Sequence, residues 1–109
     1  MELNDYQRRA RATALYPNVG DNPIYPTLGL SGEAGEVAEK VKKVLRDRDG
    51  KFDKDTCDSI MLELGDVLWY LAQLSSELGY SLDQVAEANL LKLSKRALRG
   101  KISGSGDDR

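Results

Sequence analysis

Histidine is absent from the 109-residue chain, and cysteine occurs once, at Cys57. Without histidine there is no Ser-His-Asp or Cys-His nucleophile pair and no Cys/His zinc set, and one cysteine forms no internal disulfide. Cys57 therefore reads as a packing or surface residue. The three prolines all fall within residues 17–26, so nothing of that kind interrupts long helices elsewhere. No apolar run approaches the roughly 20 residues that cross a bilayer. The start, Met1-Glu2-Leu3-Asn4-Asp5, lacks the basic-then-apolar pattern of a secretory signal. Cytoplasmic residence without a membrane partner is the expectation. Neither G-x-x-x-x-G-K-[ST] nor G-x-G-x-x-G occurs, and a net charge of −2 gives no bulk attraction for a nucleic acid polymer. Carboxylates, lysines and tyrosines remain for chemistry.

What is present describes a helical domain. Hydrophobic residues make up 40% and charged residues 31%, the balance of a folded chain, and this length supports one core. A first helix is expected over Asp5–Tyr16, started by Asn4 or Asp5 with Gln7 and stopped by Pro17. Residues 17–26 read as a loop with a turn or strand-like element near Ile24 and Tyr25. A second helix follows from Leu28 to Asp47, where Asp49-Gly50 breaks the periodicity of Leu30, Ala34, Val37, Ala38, Val41 and Leu45. A third spans Asp55–Leu78 before Gly79, its apolar face carrying Ile60, Leu64, Val67, Leu68, Leu71, Leu74 and Leu78. A fourth runs from Ser81, with an S-x-x-Q capping box, to Leu98. The reading is all-α, a four-helix bundle in one domain (residues 1–99) with a flexible Gly/Ser-rich tail (100–109). Leu62 and Trp69 lie opposite the main stripe of the third helix, which predicts a second subunit there and a homodimer or homotetramer.

Two pairs of acids share one spacing. Glu33 and Glu36 on the second helix, and Glu63 and Asp66 on the third, are each i, i+3, which stacks like charges on one face at a cost of a few tenths of a kcal/mol. The first acid of each pair falls about 70–90° from its helix's apolar stripe, so antiparallel packing can gather all four. Such a cluster calls for a hard, oxygen-seeking cation, Mg²⁺ or Mn²⁺. The di-iron bundle pattern also needs an E-x-x-H histidine, which is missing, so redox iron is disfavoured. Gly29, Gly32, Gly35 and Gly65 sit beside these acids despite their helical cost, a sign of close backbone approach. Lys40 lies one to two turns beyond the first pair. Tyr70, four residues after Asp66, falls on the acidic face as a candidate to stack on a substrate.

These stretches, Gly29-Leu-Ser-Gly-Glu33-Ala-Gly-Glu36-Val-Ala-Glu39-Lys40 and Glu63-Leu-Gly-Asp66-Val-Leu-Trp-Tyr70, resemble the MazG-like nucleoside triphosphate pyrophosphohydrolases of the all-α NTP pyrophosphatase superfamily. The E-x-x-E and E-x-x-D motifs map onto Glu33, Glu36, Glu63 and Asp66 as metal ligands and catalytic residues. Asn89-Leu-Leu-Lys92-Leu-Ser-Lys95-Arg96-Ala-Leu-Arg99 resembles the family's basic, phosphate-side segment. The resemblance implies Mg²⁺-dependent cleavage of a nucleoside triphosphate between its α and β phosphates, giving a monophosphate and pyrophosphate in nucleotide-pool house-cleaning. Lys40, Tyr70, Asn89, Lys92, Lys95 and Arg96 are the candidate substrate groups. Five cations between Lys92 and Lys101 with no intervening acid fit a phosphate, and also fit a helix end whose dipole favours positive charge. Many members carry E-E-x-x-E, whereas Gly32 precedes Glu33 here, so a general base at that extra position is missing. The competing reading is a non-enzymatic helical oligomerisation or partner-binding module presented by Leu62 and Trp69.

Overall fold

The computed structural model describes residues 1–100, and these form four α-helices and no strand: α1 Leu3–Arg11, α2 Ile24–Asp47, α3 Lys54–Glu77 and α4 Leu82–Leu98. The tail expected over 100–109 lies, beyond Gly100, outside the described residues, as does Lys101. No helix among them is long and apolar enough to cross a membrane.

α2 and α3 form the main hairpin, and α1 packs on α3. Their register is antiparallel: Gly29 abuts Tyr70, Glu33 meets Glu63, and Lys40 meets Ser59. The turn between them has the expected punctuation. Asp49 and Gly50 adopt positive φ (54° and 72°), and Asp53 caps α3 by accepting the Thr56 N–H at 2.9 Å. Gly79, at φ 83°, ends α3 as expected.

Two boundaries differ from expectation. α1 ends at Arg11 rather than Tyr16, and its N-cap is Glu2, with no side-chain cap bond. Asn4 and Gln7 are used elsewhere. The Asn4 Oδ1 accepts the Asp83 N–H (3.1 Å) and the Gln7 Oε1 accepts the Leu82 N–H (2.8 Å), while Gln7 Nε2 donates to Ser76 Oγ and to the Tyr80 carbonyl. With the Ser81–Gln84 capping box, the first N–H groups of α4 are satisfied by α1 and by its own cap together. α2, in turn, begins at Ile24 rather than near Leu28. Pro26 is accommodated in its first turn, where its missing N–H is no loss, and Asn22 Oδ1 accepts the Tyr25 N–H at 3.1 Å.

The core is thin. Ala10, Tyr16, Pro26, Val44, Ala72 and Leu82 are buried, but Leu45, Leu64, Leu78 and Leu90, all expected in the apolar stripes, are more than half exposed. α4 meets α1 and α3 and does not pack on α2. The radius of gyration, 16.6 Å, exceeds the roughly 13 Å of a compact chain this long.

Candidate metal and nucleotide site

The acids converge where α2 and α3 face each other. Glu33, Glu63 and Asp66 each present a carboxylate oxygen within 4.8 Å of the others. Glu36 stands outside this trio and is exposed, although its charge acts on Glu33. Burial raises the Glu33 carboxyl above its ordinary value, and the charges of Asp66 and Glu63 raise it further. The i, i+3 spacing explains the geometry: one turn brings both α3 acids to the face where α2 presents Glu33. An all-oxygen donor set whose members repel one another fits a hard divalent cation, with Glu33, Glu63 and Asp66 as its holders.

Lys40 supplies a fixed positive charge beside the trio. Its Nζ lies 3.4 Å from Glu63 Oε1 and donates to Ser59 Oγ at 2.5 Å. The sequence placed Lys40 near the acids; Ser59 carried no signal of its own.

On the other side of the acids lies an aromatic cluster. Tyr70 fits against α2 only because residue 29 is glycine, since a methyl there would overlap its ring. Tyr16 stacks on Tyr25 (centroids 5.1 Å, planes 12° apart), Trp69 meets Tyr70 edge-on at 5.0 Å, and Tyr25 lies 6.5 Å from Tyr70. Burial raises the Tyr70 hydroxyl above its ordinary value, with contributions from Tyr25 and Glu33, so the ring borders the acids. Tyr6 of α1 is likewise raised by burial and by Asp66. Trp69 is therefore not an outward-facing residue: its Nε1 donates to Thr13 Oγ1 at 2.8 Å, and the chain leading out of α1 covers that face of α3. Leu62 remains 68% exposed.

One carboxylate that the sequence reading missed organises this cluster. The Glu77 side chain is fully buried, paired with Arg11 at 2.6 Å, and accepts from the Tyr16 hydroxyl and from the N–H groups of Gly20 and Asn22. Although burial opposes ionisation, these donors hold its pKa at about 2, far below 4.5. An available signal was its position. An acid in the last turn of a helix opposes the dipole, so Glu77 required a compensating partner.

Asn89, Lys92 and Lys95 are exposed on α4 and Arg96 is buried; α4 packs on α1 and α3, and its backbone does not approach α2.

Comparison with known proteins agrees with this geometry. The chain is 49% identical over 114 residues to the "Gene 37 protein" of Mycobacterium phage L5, covering 100% of each, a relative whose name states no activity. No solved structure matches. The family model described as the MazG nucleotide pyrophosphohydrolase domain matches residues 25–99, which include the acidic trio, Lys40, Tyr70 and all of α4. The chain thus belongs to the MazG nucleotide pyrophosphohydrolase family, whose members are hydrolases acting on nucleotides.

Proposed function

We propose that this protein is a Mg²⁺-dependent pyrophosphohydrolase, with Mn²⁺ as a substitute ion, that cleaves nucleoside or deoxynucleoside triphosphates to a monophosphate and pyrophosphate. The observation that carries the reading is the convergence of Glu33, Glu63 and Asp66 between an aromatic cluster and a lysine. The bound ion would neutralise charge on the phosphates and polarise the reacting phosphorus. In the reaction the water oxygen bonds to the α-phosphorus. The bond from that phosphorus to the bridging oxygen breaks, and its electron pair leaves with pyrophosphate. Glu33 accepts the water proton with the carboxylate oxygen not turned to the ion, and Glu36 lies one turn on as a further ligand from solvent. Tyr70 and Tyr25 provide ring faces for the base.

Residues 1–99 act as one domain, and the functional unit is a homodimer or homotetramer. Leu62, Leu90 and Leu45 are each about two-thirds exposed, apolar side chains that a subunit contact would cover. In that assembly the exposed Asn89, Lys92 and Lys95 approach substrate from a neighbouring copy, with Arg96 buried behind them in its own chain. House-cleaning of the cytoplasmic nucleotide pool is the matching role. The test is to incubate the full chain with individual NTPs and dNTPs and Mg²⁺, and to measure pyrophosphate against orthophosphate. Pyrophosphate release that disappears in a folded Glu63→Gln variant supports the reading. Wild-type activity persisting in that variant contradicts it.

A further inference from the structure

The α2/α3 cleft does not end at the acids. Beyond them, beginning one turn along α3 at Ser59 and reaching two turns at Thr56, lies a groove of about 330 Å³, lined by Lys40, Lys43, Arg48, Thr56 and Ser59 together with the carboxylates Asp47 and Asp55. We propose that this groove receives the two terminal phosphates of the substrate, the part that departs as pyrophosphate, with Lys43 as their principal cation. The inference rests on the pyrophosphohydrolase reading and gives it a direction.

The residues along the hairpin follow the order of the substrate's parts. Reading α2 forward and α3 backward, the cleft presents Gly29 with Tyr70, then Glu33 with Asp66 and Glu63, then Lys40 with Ser59, then Lys43 and Thr56. Each helical turn advances about 5.4 Å. A nucleoside triphosphate has the same order: an aromatic base, the scissile phosphorus, and then a polyanion. Rings therefore face the base, acids face the ion at the bond that breaks, and ammonium and hydroxyl groups face the leaving group.

The charges in the groove are not equally available. Arg48 is bound to Asp53 at 2.6 Å, and Lys40 is shared between Ser59 and Glu63. Asp47 is clamped by Arg46 through two hydrogen bonds of 2.7 and 2.8 Å. Lys43 forms no ion pair with any described residue and is exposed; its charge acts on Glu39 and Asp47 only through space, and with Asp55 as the opposing carboxylate of the lining it carries a positive charge into the groove. Ser59, whose hydroxyl accepts from Lys40 and keeps its own hydrogen, adds a donor suited to phosphate oxygens, whereas the Thr56 hydroxyl is already given to the Asp53 carbonyl at 3.0 Å. A monophosphate has nothing to place there, which makes the groove a determinant of triphosphate over monophosphate.

The experiment uses inorganic pyrophosphate and a nucleoside monophosphate as product inhibitors of the full-length enzyme hydrolysing a triphosphate. Lys43→Gln is expected to raise the inhibition constant for pyrophosphate about fivefold, the loss of one charge-assisted contact at an exposed site, with that for the monophosphate unchanged. Lys43→Glu is expected to raise it more than tenfold. Unchanged pyrophosphate inhibition in both variants overturns the inference and leaves the hydrolase reading standing. So does a rise confined to Lys95→Gln, which would move the leaving group to α4. Wild-type protein that releases no pyrophosphate from any triphosphate overturns both, and shows it before a variant is made.

Discussion

Replacing Glu77 by glutamine removes a charge while keeping the shape of the side chain. The wild-type carboxylate is buried beneath the α1–α2 connection, against Arg11, the Tyr16 hydroxyl and two backbone N–H groups. Its pKa falls from 4.5 to about 2, and at roughly 1.4 kcal/mol per pH unit this linkage sets a ceiling of roughly 3 kcal/mol. Arg11 keeps 28% of its side chain in contact with water, so part of its charge is resolvated when the partner is lost, and about 2 kcal/mol is the expected cost. Because the folded-state pKa is depressed, this stability is complete above pH 4.5 and is lost as pH falls toward 2; more than half is gone by roughly pH 3. The assay is urea denaturation of wild type and Glu77→Gln at fixed protein concentration, at pH 7 and at steps down to pH 3. It is followed by the fluorescence of Trp69, the only tryptophan, whose ring meets Tyr16 edge-on at 6.4 Å. A gap of about 2 kcal/mol at pH 7 that narrows below pH 4 is expected. A gap independent of pH, or none at pH 7, would refute the assignment of Glu77 as an ionised staple.

Other expectations follow from the site and the open faces. Gly29→Ala forces Tyr70 off α2, so it should cost about 1–3 kcal/mol in thermal denaturation and raise KM for nucleotide; a variant with wild-type values would remove Tyr70 from the site. Mg²⁺ should raise the melting temperature of wild type, and Glu63→Gln should abolish that rise while melting cooperatively without the ion; an equal shift in both proteins places the ion elsewhere. Leu62→Glu, on a face 68% exposed in one chain, should reduce the mass measured by light scattering at micromolar concentration, and an unchanged mass would remove Leu62 from any subunit contact.

The long helices were legible because their apolar spacing and breakers agree. Ser81 with Gln84, Asp49-Gly50 and Gly79 act where local chemistry alone says they should. The acidic trio was legible for a related reason, since two equal spacings on adjacent antiparallel helices leave little freedom in where the acids meet. Illegible features are those in which a local signal is spent on a distant partner. Asn4 and Gln7 look like a cap for α1 and instead bond the start of α4, more than 70 residues away. Pro26 looks like a starting point, yet Asn22 and the loop beneath it allow the helix to begin earlier. Trp69 has the spacing of an outward residue, and only the path of residues 12–23 covers it. The leucine stripes indicated helix faces correctly but not which of them one chain would leave open.

The two bonds from α1 to the first turn of α4 join segments 75 and 79 residues apart. During synthesis residues 4 and 7 emerge long before residues 82 and 83 exist, so these two bonds wait for α4 while α1 can already dock on α3. The orientation of α4, and of the cations it carries, is thus settled late. Substitutions at Asn4 or Gln7 would act first on the start of α4.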